Sequence, residues 1–281
     1  MSRLEEILEN IKQIPPFPKV AKRVMELIEN PDVSAVELGK IIQYDQSITA
    51  NVLKMCNSAY FGLGRKVSSL EQGLVVLGNN VLKDIIITSS SSDFYKGVAG
   101  EGYVLEEGEL WRHSVATGIM AKLLIRHVKD IDAGTAYTAA LLHDIGKRVM
   151  SSYVAEEFKE IMEIVTTGKC SFSDAEKKVL GVTHAELGGM ILEKWEFSQE
   201  MIDAVKQHHD PEALLKEPLS AVVCLSNALV ISLGIGAGAT GLAMEMQGDG
   251  LKRFGLANKD LDLLMADLFE EMAKAEDLIQ L

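Results

Sequence analysis

At 281 residues the chain has room for one large or two ordinary domains, and 47% hydrophobic with 25% charged residues is the balance of a globular protein that buries a core. A net charge of −13 argues against nucleic acid or an anionic membrane as a partner held by charge attraction. Cys56, Cys170 and Cys224 lie far apart with no CxxC spacing, so they read as reduced thiols of a cytoplasmic protein.

The opening stretch is charged and amphipathic without a signal-peptide core, and it predicts a short helix over residues 3–11. Pro15, Pro16 and Pro18 stop it, because fixed φ and missing donors forbid continuation. A helix over 19–28 follows, with Val20, Val24, Leu27 and Ile28 on one stripe. Ser34 and Glu37 predict a capping box for the next helix, through Ile42, and residues 46–57 repeat the apolar pattern. Ser68 and Glu71 predict a second box before Leu74, Val75 and Leu77, and a further helix should cover 80–89. The run Ser89 to Ser92 and four glycines between 97 and 108 then mark the expected domain boundary, giving lobes of 1–95 and 96–281.

The second lobe predicts helices over 109–128, 135–150, 155–165, 173–180, 184–194, 199–207, 219–233 and 260–279. Residues 218–244 carry no charge and are long enough to cross a bilayer, but the glycines from Gly234 to Gly241 break a continuous span. A buried helix followed by a tight loop is the reading, with no membrane partner. No stretch alternates with period two for long enough to make a strand. The fold class is therefore all-α, in two helical lobes.

The chemistry concentrates at Ala139-Ala140-Leu141-Leu142-His143-Asp144-Ile145-Gly146-Lys147. An imidazole and a carboxylate directly after an apolar run cost several kcal/mol to bury, on the order of magnitude of an uncompensated charge, unless a metal or partner charges offset them. Of six histidines, His113, His143, His184, His208 and His209 fall where a metal site would need them. Imidazole and carboxylate suit a divalent transition metal, with iron first and manganese, nickel or zinc as alternatives, as one or two ions. Neighbouring side chains on a helix point about 100° apart, so His143 and Asp144 are expected to serve adjacent ions, with the carboxylate bridging. His208 and His209 stand just before Asp210-Pro211, where the chain leaves the helix and adjacent rings can converge. The competing reading is a set of scattered structural histidines. His127 stands apart, as a solvated residue at a helix end.

Lys147, three residues after Asp144, either holds a phosphate oxygen or pairs with Asp144. Gly236 to Gly241 match G-x-G-x-x-G, but without a strand–turn–helix context they do not make a dinucleotide site. Ser226 and Cys224 have no activating base at a readable spacing, so nucleophilic catalysis is not supported.

Residues 10 to about 210 resemble an HDOD domain, a bacterial signalling module related to the HD phosphohydrolases. The resemblance rests on Ile14-Pro15-Pro16-Phe17-Pro18, on Tyr44 to Lys54 (YDQSITANVLK), on Asn57 to Gly62 (NSAYFG), and on Ser69-Leu70-Glu71-Gln72-Gly73 with Leu77-Gly78. In the second lobe, His113, the His143 to Lys147 string, His184-x-x-x-Gly188 and His208-His209 are similar to the metal motifs of HD and HD-GYP phosphodiesterases. Two departures stand out. Asn227 occupies the place of a late aspartate ligand, and no Gly-Tyr-Pro motif follows His209.

The resemblance implies that the second lobe is an HD-like bundle. One ion would use His113, His143, Asp144 and Asn227, and a second would use bridging Asp144 with His184, His208 and His209. Asp144 and Lys147 are then the candidate catalytic residues. The implied role is a signal-transduction output module with a protein partner. The alternative is a metal-dependent phosphohydrolase acting on a nucleotide or cyclic dinucleotide, with a nucleotide or phosphate ligand.

Overall fold

The computed structural model describes residues 3–28, 30, 32–58, 66–95, 101–128, 131–168, 170–236, 238–239 and 252–279, and among them there are helices and turns but no strand. Thus the all-α fold class stands. Residues 59–62 of the NSAYFG motif, residues 97–100 of the glycine-bearing stretch, and Ala237, Thr240 and Gly241 lie outside the described residues.

The chain divides into two compact units. One comprises Met1–Pro15 and Phe94–Leu268; the other comprises Pro16–Asp93 and Phe269–Leu281. Compared with the expected lobes of 1–95 and 96–281, the first fifteen residues group with the histidine-bearing unit and the last thirteen with the other.

The smaller unit begins with α2 (Lys19–Ile28), α3 (Ala35–Ile42) and α4 (Gln46–Cys56). The box at Ser34 and Glu37 caps α3, and Asp45 caps α4 by accepting from the Ile48 N–H. Helix α3 packs on both α2 and α4, and the apolar stripes of the three helices bury Ala21, Val24, Leu38, Ile42, Ile48 and Val52. Asn57 closes the loop after α4: its amide donates to Val67 O at 2.9 Å, and its Oδ1 accepts from Val67 N at 2.8 Å.

Then α5 (Leu70–Tyr95) runs on past Gly78, where φ +73 and ψ 165 interrupt the helix. The expected Ser68–Glu71 box is displaced by one residue. Ser69 Oγ accepts from the Gln72 N–H, and the Glu71 side chain lies outside the described residues. The serine run is also corrected: Ser89 to Ser92 are helical and buried, not a loop. Their side chains are small enough for close packing on every side of the helix, and Ser92 Oγ satisfies itself on Ser89 O.

The histidine-bearing unit contains α1 (Arg3–Gln13), α6 (Glu109–Leu124), α7 (Ala133–Leu142), α8 (Lys147–Gly168), α9 (Phe172–Leu180), α10 (His184–Lys194), α11 (Gln199–Lys206), the short α12 (Pro211–Lys216) and α13 (Pro218–Ser232). Helix α14 (Asn258–Lys274) runs across the division, and α15 (Glu276–Ile279) packs on α4. Helices α6, α7 and α13 form the centre, and α13 is buried on nearly every face. No helix among the described residues is long and apolar enough to cross a membrane. Sequence periodicity missed α12 and merged the end of α7 with the start of α8.

Helix α1 belongs to this unit through specific contacts. Ile7 and Ile11 join the cluster of Met150, Tyr153, Val154 and Leu187. Arg3 pairs with Glu156 and Glu157, and Asn10 donates to the Tyr153 hydroxyl. Lys194 donates to the carbonyls of Ile11 and Lys12, satisfying the end of α1, and Trp195 Nε1 donates to Pro15 O. Ile7 is fully buried, so Ile7→Ala should destabilise the protein by about 2–5 kcal/mol. Urea unfolding of the variant checks this; a loss within experimental error would mean that α1 is a dispensable arm.

Candidate metal centre

Asp144 has no solvent exposure, and four imidazoles face it. His113 Nε2 and His143 Nε2 lie 3.5 and 3.3 Å from its Oδ2; His184 Nε2 and His208 Nε2 lie 3.5 and 3.6 Å from its Oδ1. His209 adds a fifth ring, with Nε2 2.9 Å from His184 Nε2. Donor atoms of Asp144, His184, His208 and His209 all fall within 4.8 Å of one another, as do those of His113, His143 and Asp144. Asn227 completes the wall, with Oδ1 3.0 Å from His113 Nε2.

Helix ends supply most of these groups. Helix α7 stops at Leu142, and residues 143–146 form a turn before α8 starts at Lys147. This corrects the expected continuous helix over 135–150. His143 keeps helical φ/ψ as the C-cap of α7, and in the turn that follows Asp144 comes close enough for the two side chains to meet at 3.3 Å instead of diverging. His208 and His209 likewise stand in the turn after α11. His184 opens α10, behind the Thr183–Glu186 capping box. Only His113 and Asn227 project from within helices, α6 and α13.

The outer nitrogen of each ring fixes what the inner one can do. His143 Nδ1 lies 2.7 Å from Ala140 O, and His208 Nδ1 lies 2.7 Å from Val205 O. Both are carbonyls of a last helical turn, which have no partner within the helix. His113 Nδ1 lies 2.9 Å from Ile235 O. Carbonyl oxygens only accept, so the proton of each neutral ring sits on Nδ1 and Nε2 presents a lone pair inward. His184 Nδ1 lies 2.7 Å from Glu176 Oε2, with the same result.

Apart from the Lys147 ammonium, the groups facing Asp144 are therefore acceptors facing an acceptor. His143 Nε2, His208 Nε2 and Asp144 Oδ1 are buried without hydrogen-bond partners. Such a group of lone pairs is costly unless cations sit among them, which is the donor chemistry a first-row metal requires. Burial, the largest influence, lowers His113 to about 4 and pushes His208 and His209 well below the usual imidazole range, so these rings keep their lone pairs at neutral pH. Burial alone would raise the Asp144 carboxyl, but the positive charge of the adjacent Lys147 holds it below the usual carboxylate range. Lys147, itself buried, donates to Asp144 Oδ2 at 2.7 Å.

Several supporting residues escaped the sequence reading. Glu176 is fully buried; beyond the His184 ring it accepts from the His184 backbone N–H, and its other oxygen accepts from the Tyr103 hydroxyl at 2.6 Å. Its signal was present: Glu176 lies on the apolar stripe of α9 with Phe172, Ala175 and Leu180, where a carboxylate needs a reason. The glycine-rich stretch also finds its role. Gly236 has φ +58, and a Cβ there would lie 2.6 Å from His113 Cβ, so the absent side chain lets the Ile235 carbonyl reach the imidazole. Ser226 is buried with no partner for its hydroxyl, and burial, helped by Asp210, pushes the Cys224 thiol up to about 12; neither is an activated nucleophile. His127 is exposed and outside the centre.

The sequence profile of the HDOD domain matches residues 14–211. The chain belongs to the HDOD domain family. A Geobacter sulfurreducens HDOD protein of unknown function superposes with a TM-score of 0.76 at 23% identity, covering 99% of this chain and 96% of the other. A structure from Shewanella amazonensis SB2B, named a candidate phosphohydrolase, gives 0.73 at 19% identity, covering 98% and 97%. At these identities the likeness carries the HDOD fold. An uncharacterized protein of Treponema pallidum (strain Nichols) is 25% identical over 232 residues, or 80% of this chain, which spans only 43% of that relative's length.

Gly146 is the joint of this centre. A Cβ there would lie 1.9 Å from the His184 carbonyl oxygen and 2.7 Å from Gly188 N, so Gly146→Ala must part the 143–146 turn from α10. We expect a loss of about 1–3 kcal/mol in the metal-free protein and loss of metal uptake. Thermal unfolding and metal analysis of the purified variant check both; wild-type behaviour would show that the close approach is not required.

Proposed function

We propose that this HDOD protein is a signal-transduction module whose histidine-bearing unit holds a divalent transition metal. His113, His143, Asp144 and Asn227 line one side of the centre, and Asp144, His184, His208 and His209 the other. The observation that carries this reading is the set of imidazole lone pairs turned toward a buried carboxylate, with the tautomers of His113, His143, His184 and His208 fixed from behind. Imidazole-rich donors favour iron or another first-row ion over magnesium. Bound there, the ion would supply Lewis acidity and a rigid link between helix ends. The partner is a protein. Tyr44, Val75 and Val76 of the other unit are exposed large apolar residues, with Tyr44 81% exposed, and supply the apolar component of a partner surface.

A second reading, metal-dependent phosphohydrolysis of a nucleotide or cyclic dinucleotide, is favoured by one feature. Lys147 places a donor beside the candidate metal ligands, where an anionic phosphate oxygen could be held. The name of the Shewanella structure is in keeping with it. Asn227 weighs against it, because a neutral amide stands where the resembling enzymes have a carboxylate.

Elemental analysis of untagged protein tests the first reading. We expect a substantial fraction of an equivalent of a first-row metal in wild type, and Asp144→Ala should abolish it. Less than about a tenth of an equivalent after supplementation with several metals would sink the metal reading. Hydrolysis assays on nucleotides and cyclic dinucleotides decide between the two: robust turnover that disappears in Asp144→Ala would put the enzyme first.

A further inference from the structure

The two halves of the centre are not equivalent. Asp144 Oδ1, facing His184 and His208, has no hydrogen-bond partner. Oδ2, facing His113 and His143, already accepts from the Lys147 ammonium at 2.7 Å. A lysine nitrogen at that distance contributes one positive charge to the same oxygen a metal ion would use. Lys147 is three residues along from Asp144 and enters α8, so the backbone holds the pair together.

The supports behind the rings differ in the same sense. His184 is backed by the Glu176 carboxylate, whose charge makes the inward lone pair a better donor. His113, His143 and, on the metal side, His208 are backed by neutral carbonyls, of Ile235, Ala140 and Val205, so the Glu176 charge behind His184 is the difference between the two sides.

Asn227 adds a third asymmetry. Its Oδ1 faces the His113 Nε2 lone pair while its Nδ2 is buried without a partner. Turning the amide over would let Nδ2 donate to His113 Nε2, which satisfies that ring without a metal. A carboxylate at this position has no such alternative.

Resting on the metal-module reading, we propose that the Lys147 ammonium takes the place of one metal ion on the Oδ2 side, so that the protein binds a single ion tightly, held by Asp144, His184, His208 and His209. His113 and Asn227 then form a hydrogen-bonded pair on that flank, beside His143. Lys147 acts here as an internal cation, and Glu176 as the positioning residue of the metal side.

The test is titration of metal-free, untagged full-length protein with Co(II), followed by visible absorption and calorimetry, with helicity checked by circular dichroism. Wild type should saturate at about one equivalent. Glu176→Gln keeps the volume but removes the charge behind His184, and should weaken that single step roughly 10–100-fold. Lys147→Gln combined with Asn227→Asp frees Oδ2 and restores an anionic ligand, so a second step should appear, bringing the total to about two equivalents. Should the double variant fail to fold, Asn227→Asp alone decides, because it is nearly isosteric and keeps Lys147 on Oδ2: it should still saturate at about one equivalent, and a second step in it would overturn the role given to Lys147. Two steps of similar affinity in wild type would overturn this inference and leave the metal reading intact. A folded double variant that still saturates at one equivalent, or an unchanged affinity in Glu176→Gln, would also overturn it. No tight Co(II) binding by wild type would overturn the metal reading itself, and this inference with it.

Discussion

One buried carboxylate sets the conditions for the histidine-bearing unit. Asp144 is sealed from solvent, and a lone charge in that position would be expelled or protonated. Instead the chain surrounds it with one lysine and a set of imidazole nitrogens that offer lone pairs. Lysine answers one oxygen; the other faces the His184 and His208 rings without a hydrogen-bond partner. The polar residues of the interior are therefore organised by charge balance around a single side chain, while the apolar core of α6, α7 and α13 excludes the water that would otherwise provide that balance.

Helix termini are what make such a cluster possible. Each terminus has backbone groups without helical partners, and here those groups are used to orient ligands. The carbonyls of Ala140 and Val205 would be orphans at the ends of α7 and α11; they bind the outer nitrogens of His143 and His208, each three residues ahead. At the start of α10 the His184 N–H is satisfied by Glu176, the carboxylate that also holds the His184 ring. Capping and ligand orientation are thus the same hydrogen bonds. Loss of one would loosen a helix end and a donor together.

Much of this architecture was legible in the chain. An apolar stripe beginning just after the proline run placed α2 at its observed bounds, and the expected helix over 184–194 coincides with α10. Residue types marked the centre, because five histidines and an aspartate directly after an apolar run supply the donors that a metal site needs. The turn at 143–146 was not legible: Ala-Ala-Leu-Leu continues the apolar pattern, and the close approach of Gly146 to the His184 carbonyl is a tertiary contact without a local signature. The serine run read as a loop by composition and is helix by burial. Glu176 looked like one more charge on α9 until its stripe is followed around the helix. Membership of α1 in the histidine-bearing unit depends on partners more than a hundred residues away, such as Tyr153 and Lys194, and no local pattern encodes that.

The glycine-rich segment shows how a motif can match while its chemistry differs. In a dinucleotide site, glycines after a strand let the backbone approach a pyrophosphate. Here the same physical property serves a different neighbour. Gly236 takes a left-handed φ and comes within a side chain's width of His113, so that the Ile235 carbonyl can fix the imidazole. Gly238, also left-handed, lies where a Cβ would meet the Tyr103 carbonyl at 2.4 Å, and the following Ala239 N–H donates to that carbonyl at 2.7 Å. Tyr103 in turn donates to Glu176, and Glu176 holds His184. The segment after α13 thus reaches both sides of the centre, directly at His113 and through three successive hydrogen bonds at His184. What the glycines provide is backbone access to buried polar groups, and only the neighbouring residues decide whether those groups are phosphates or imidazoles.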